Sequence, residues 1–261
     1  MRKTYRARDV KDYWEARWLA IPADAPMQNE TKYPLKYSIE MIRDDKSGSI
    51  LEAGCGAGRI LRYYHNNNYR ISGFDYIDSA ISKLKQIDCS LKVSVQDVCR
   101  LSYESNSFNY ILAFGLYHNL EKNLDDAMRE TYRCLKDNGM ICASFRADNI
   151  QNRINDYMAD QKYSPSESKH FHKLNLTKKE YVSLFQKYNF TVHKCYAVEN
   201  MPLLYKFKFF RHKSHKSFDE SRGRVEGYRL SIIGALMQRI LMKLFPYQFC
   251  NIYVIIAQKN S

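Results

Sequence analysis

Apolar and polar positions along this chain follow two periods, and the switches between them outline alternating helices and strands. From Asp9 to Leu19, Val10, Tyr13, Trp14 and Leu19 recur at near-helical spacing with Trp18 alongside. This predicts an amphipathic helix, ended by Pro22 and Pro26. A second helix is expected over Leu35 to Arg43, before the Asp44-Asp45-Lys46-Ser47-Gly48 turn. Short apolar runs then predict strands at Ser49 to Ala53, Tyr69 to Asp75, Lys92 to Val98 and from Phe108. The last of these runs out into a loop carrying His118. Helices are expected between them after Gly58 and over Ser79 to Leu84, and a further one over Asp125 to Leu135. A turn at Lys136-Asp137-Asn138-Gly139 leads into a strand over Met140 to Phe145.

From Arg146 the pattern loosens into a polar stretch through Ser164-Pro165-Ser166-Glu167-Ser168, followed by Lys169-His170-Phe171-His172-Lys173. Thr177 and Glu180 have the spacing of a capping box and open a helix over Glu180 to Tyr188. Strands are expected over Phe190 to Val198 and Asn251 to Ala257, leaving 201–248 as an insertion between them. In the insertion Lys206, Lys208, Arg211, Lys213 and Lys216 interleave with Phe207, Phe209, Phe210 and Phe218. A helix over Leu230 to Phe245 follows, whose polar residues form only a narrow stripe. Such a helix must pack on the domain, cover a pocket or rest on a membrane, and its apolar run is too short and too interrupted to span one.

The chemistry centres on Ser49-Ile50-Leu51-Glu52-Ala53-Gly54-Cys55-Gly56-Ala57-Gly58-Arg59-Ile60, a strand, a tight loop and a helix start. Alternate glycines let the backbone turn sharply and approach a ligand, which would sit on the free amides at the helix start. A dinucleotide pyrophosphate is one candidate, but the third glycine comes one residue early for that fingerprint, and Glu52 would repel it. A cofactor bearing an ammonium and a sulfonium suits Glu52 better. Asp75, closing the next strand roughly twenty residues on, is placed for the vicinal hydroxyls of a ribose, with Tyr76 and Ile77 as faces for a base. Asp97 closes a third strand, and three acids at three successive strand ends converge on one crevice if the sheet is parallel.

The segment resembles motif I of the class I methyltransferases that use S-adenosylmethionine, and the resemblance extends over about 48–200 and the last strand. Asn109 and Asp137-Asn138-Gly139 depart from the family's usual Asp and Pro-Gly-Gly. The resemblance implies an α/β, doubly wound, mostly parallel seven-stranded sheet with an antiparallel last strand and a helical insertion before it. It implies a single domain: an N-terminal helical cap (1–45), a core (46–200), a basic and apolar insertion (201–248) and the last strand (249–261). It also implies S-adenosylmethionine as cofactor, held by Glu52, Gly54, Cys55, Gly56, Gly58, Asp75, Tyr76, Ile77 and Phe114. Asp97 and Val98 would meet adenine, and Tyr13 and Arg17 of the first helix would lie over the site. His118 is the first candidate for a general base, with His170 and His172 weaker.

Composition narrows the setting. The 261 residues are 45% hydrophobic and 26% charged, an ordinary globular balance. The net charge of +13 favours an anionic partner, whether nucleic acid, phosphorylated substrate or membrane surface. Seven scattered cysteines without a Cys-x-x-Cys pair give neither a disulfide framework nor a zinc site and point to a reducing cytoplasm. The basic N-terminus lacks an apolar stretch behind it and does not read as a signal peptide. The Asn/Asp-Pro-Pro-Tyr motif of amino-methylating enzymes and the Pro-Cys pair of cytosine-methylating ones are absent. The leading expectation is methyl transfer to an oxygen of a small-molecule, sugar or lipid-linked acceptor, with peripheral contact at an anionic inner membrane face. An RNA-directed methyltransferase and a non-catalytic cofactor-binding scaffold are the alternatives.

Overall fold

The structure is a computed structural model, and it describes residues 1–6, 14–16, 18, 26–161, 168–215, 217 and 227–261. Tyr13 and Arg17 lie outside the described residues. Among those described, β1 (Arg2–Arg6), α1 (Leu35–Ile42), β2 (Ser49–Ala53), α2 (Arg59–Asn66), β3 (Arg70–Asp75), α3 (Asp78–Ile87) and β4 (Lys92–Val95) come first. Then follow β5 (Phe108–Ala113), α4 (Leu124–Cys134), β6 (Leu135–Arg146), α5 (Ile150–Asp160), β7 (His170–Asn175), α6 (Lys178–Lys187), β8 (Phe190–Val198), α7 (Ile232–Leu244) and β9 (Ile252–Lys259).

Seven of these strands form one sheet in the order β4-β3-β2-β5-β6-β9-β8. Neighbours from β4 to β6 are parallel, and β9 runs antiparallel between β6 and β8. The sheet grows from β2 outward in one direction and then, from β5, in the other, so a crevice opens beyond the carboxyl ends of β2 and β5. Consecutive residues serve opposite faces, as the two-residue period requires. Leu51, Ile111, Ile141 and Ile255 pack with Met128 of α4 and Phe185 of α6, whereas Ile50, Leu112, Cys142 and Val254 pack with Leu35, Leu61 and Leu84 of α1 to α3.

The sheet matches the expected fold class, and four local expectations need correction. Arg2–Arg6, expected within an N-terminal helical cap, and the 170–175 stretch, for which no element was expected, pair antiparallel as a two-stranded ribbon. The polar stretch after Arg146 contains α5, which apolar periodicity could not find because its buried face is Gln151, Asn152, Asn155 and Asp156. The turn at 136–139 is a bulge inside β6, where Phe108 pairs with Leu135 but Tyr110 already pairs with Met140. The helix expected over Ser79 to Leu84 runs instead from Asp78 to Ile87, with Ile77 at its N-cap and Asp78 within the first turn, favourable to the helix dipole.

The capping box of α6 forms as expected, with Thr177 and Glu180 bonding each other's backbone amides. Helix α7 is turned the other way from an ordinary surface helix. Its inward residues are Gly234 and Gln238, and Gln238 accepts from the Leu204 amide and donates to Glu199. Ile232 (89% exposed), Ile233, Leu236, Met237, Ile240 and Leu244 face outward along one stripe.

Candidate active site

The loop between β2 and α2 is built on left-handed glycines, Gly54, Gly56 and Gly58, with φ of 72°, 50° and 67°. At Gly56 a side chain would also collide: an added Cβ would stand 2.5 Å from the Trp18 ring. The loop is braced by two acids from below. Asp75, at the end of β3, accepts from the Gly56 amide at 2.8 Å and from the Ile77 amide at 3.0 Å. Glu52, near the end of β2, accepts from the Leu61 amide at 2.7 Å, in the first turn of α2. Burial raises both carboxyls above their ordinary range, and the nearby Asp75 charge adds to the effect at Glu52, which is pushed up to about 8.

The third acid is different. Strand β4 stops at Val95, and Asp97 follows in an exposed turn, its carboxylate taken by the Cys99 amide at 2.9 Å. Gln96 joins this turn to β3 by donating its amide to the Asp75 carbonyl. Val98 and Ile77 are buried, and Tyr76 is exposed. Cys55 is buried, its amide donating to the Phe74 carbonyl. Thus Glu52, Asp75 and the glycine loop share one crevice, with Asp97 on its outer rim.

Beyond β5, Phe114 meets the Tyr33 ring edge to face at 5.7 Å. The Tyr33 and Ser144 hydroxyls lie 2.9 Å apart, and Ser144 also accepts from the Gly115 amide. Sequence reading missed Tyr33 and Ser144 because nothing in their local pattern joins them. His118 stands in the next turn, a 3-10 helix over Tyr117–Asn119, and is only 6% exposed. Its Nε2 lies 3.2 Å from the Lys173 ammonium of β7. An ammonium can only donate, so Nε2 is the acceptor and Nδ1 carries the hydrogen. Burial, then Lys173, Arg146 and His172, hold the His118 pKa well below its ordinary value. His172, lowered to about 2 by burial and by Arg6, Lys173 and Arg146, shares that setting, while His170 is exposed.

Two tryptophans link these halves. Trp18 lies against Gly56, Trp14 stacks on Trp18 with ring centres 5.1 Å apart, and the Lys173 ammonium stands 5.7 Å above Trp14. The tryptophan stack thus connects the glycine loop to Lys173 and, through it, to His118.

Residues 51–143 match the family model described as a methyltransferase domain. No curated protein matches the chain. Among solved structures, a SAM-dependent methyltransferase from Methanosarcina mazei is 16% identical, over 88% of this chain and 98% of its own, with a TM-score of 0.59. One from Archaeoglobus fulgidus is 16% identical over 96% and 100%, with a TM-score of 0.60. The Haloferax volcanii protein solved in complex with the Trm112 methyltransferase activator is 12% identical over 98% of each chain, with a TM-score of 0.64. At such identities the structures attest the fold, while the family match covers the glycine loop and the strands that follow it. Residues 51–143 accordingly match a methyltransferase domain, set in a fold that this chain shares with solved SAM-dependent methyltransferases, and together these support an enzyme that uses S-adenosylmethionine.

Proposed function

We propose that the enzyme methylates an oxygen of a small-molecule, sugar or lipid-linked acceptor. The observation that carries the cofactor half of this reading is the convergence of Glu52 and Asp75 on the glycine loop from two adjacent strands. Gly54, Cys55, Gly56 and Gly58 would supply backbone surface to the cofactor, and Asp75 would take the ribose hydroxyls. Glu52 would lie on the side of the ammonium and sulfonium. Tyr76, Ile77, Asp97 and Val98 would surround adenine, and Phe114 would lie toward the acceptor. When bound, S-adenosylmethionine supplies a methyl group on a positively charged sulfur, ready for in-line displacement. The protein's task is then alignment and exclusion of water more than acid or base strength.

His118 enters this reading as a hydrogen-bond donor rather than as a base, since Lys173 occupies its Nε2 and its pKa lies low. The outward apolar stripe of α7 supports the lipid-linked form of the acceptor. It is flanked by exposed Lys208, Lys213, Arg229, Arg239 and Lys243, a combination suited to an anionic membrane surface. Among the described residues no helix is long and apolar enough to cross a membrane. The contact would therefore be peripheral, at the inner face.

Calorimetry with S-adenosylmethionine on the wild type and on Asp75→Ala tests the site. Loss of a buried charged hydrogen-bond partner should weaken binding about ten- to a hundredfold. Unchanged affinity in a variant with unchanged melting would remove Asp75 from the cofactor site.

A further inference from the structure

Glu52, Leu112 and Cys142 stand in one row across β2, β5 and β6, on the face of the sheet that α1 to α3 cover. Two residues farther along β6, Ser144 shares that face, and Phe114, just past β5, packs there too. Tyr33, two residues before α1, closes over both. Its ring meets Phe114 edge to face and its hydroxyl meets Ser144. The turn after β5 reaches the glycine loop as well, since the Leu116 side chain lies 3.1 Å from where a Cβ on Gly54 would stand. This turn therefore touches Tyr33 through Phe114 and the cofactor loop through Leu116.

A count of hydrogens singles out the phenol. Ser144 accepts from the Gly115 amide at 2.8 Å, and the Tyr33 and Ser144 hydroxyls share one hydrogen bond of 2.9 Å. Two hydroxyls carry two hydrogens, so one hydrogen is left over among the described residues. Ser144 has no exposed surface, and Tyr33 is its one acceptor there, so Ser144 donates to the phenol oxygen. The Tyr33 O–H is the hydrogen left over, on a residue that keeps some exposed surface. Burial holds this phenol above its ordinary pKa, with Ser144 opposing, so it stays protonated and able to donate.

The amino-acid end of S-adenosylmethionine carries an ammonium and a carboxylate. Glu52 suits the first, but Glu52 and Asp75 are acids and offer nothing to the second. We infer that the Tyr33 hydroxyl donates to the carboxylate of the cofactor, with Ser144 as the positioning residue that fixes the phenol. The inference rests on the cofactor reading of the crevice. It also gives a use to the Gly115–Ser144–Tyr33 relay, which joins three segments distant in sequence at the carboxyl end of the sheet.

Calorimetry with S-adenosylhomocysteine and with its decarboxylated analogue isolates the carboxylate. The wild type should prefer the carboxylate-bearing ligand about tenfold or more, as one hydrogen bond to a charged group provides. Tyr33→Phe should erase most of that preference and leave affinity for the decarboxylated analogue unchanged. Ser144→Ala, which keeps the phenol and removes its support, should narrow the preference by less. A purely structural role would weaken both ligands alike, so the ratio of affinities decides. If Tyr33→Phe does not fold, Ser144→Ala supplies the same ratio. No preference in the wild type, or an undiminished one in the folded variant, overturns the inference while leaving the cofactor reading in place. A wild type that binds neither ligand sinks the cofactor reading itself.

Discussion

Glu52 carries the most direct electrostatic consequence. Its carboxyl is raised by burial, opposed by the Leu61 amide and reinforced by Asp75, to about 8 from an ordinary 4.5. The folded state therefore keeps a proton that the unfolded chain has already lost, so stability falls as pH rises from the ordinary value up to the folded one. Asp75, also raised, acts in the same sense, whereas the depressed His118 and His172 act oppositely, lowering stability as the pH falls through and below the range where free histidine titrates. Between about pH 7 and 8 the Glu52 contribution should dominate, with a slope that declines from about 1.2 to about 0.7 kcal/mol per pH unit as the folded carboxyl itself ionises. Urea unfolding across that interval should show the fall in the wild type and a flatter profile in Glu52→Gln. Equal slopes would mean that Glu52 is ionised in the fold. The sequence named this residue from its position before the glycines, but its bond to Leu61, nine residues on, depends on how α2 seats against β2.

Helix α5 illustrates a different balance. Asn149 accepts from the Asn152 amide at 3.0 Å, and its Nδ2 donates to the carbonyls of Tyr247 and Cys250, both at 2.9 Å. Asn152 in turn bonds the carbonyls of Ala147 and Asn251. One polar helix start thus ties β6 to the chain entering β9. Asn149→Ala removes a cap and strands the buried Cys250 carbonyl, which should cost about 2 to 4 kcal/mol. Thr177→Ala, which breaks the capping box of α6, should cost about 0.5 to 2 kcal/mol. Denaturant midpoints of the two variants check the order; if Thr177→Ala proves the costlier, the cross-connections of Asn149 carry little. Sequence reading found α6 because its box is local. It missed α5 because a helix whose buried face is amide-rich looks polar all round, and its partners lie about 100 residues away.

At the scale of the molecule, the proposed function assigns the outward face of α7 to contact with an anionic membrane. Leu236→Asp and Ile240→Asp sit on exposed positions and should leave stability within about 0.5 kcal/mol of wild type. The same changes should abolish flotation with anionic vesicles at low salt, where each nearby Lys or Arg contributes about 1 kcal/mol. Flotation that survives both changes, or a wild type that ignores anionic vesicles, would remove the membrane contact from this reading. What the sequence by itself determined is whatever neighbours along the chain can settle. The order of strands and helices, the glycine loop with its acids and the capping box follow from periodicity, backbone freedom and local hydrogen bonds, and the family resemblance implied the antiparallel last strand. Only the tertiary structure decided the rest. It folded Arg2–Arg6 onto β7, set Lys173 against His118 and turned the apolar stripe of α7 outward by seating Gln238 on Leu204 and Glu199. These outcomes depend on long-range pairing of charges and amides, which leaves no period in a sequence because the partners are brought together by the sheet.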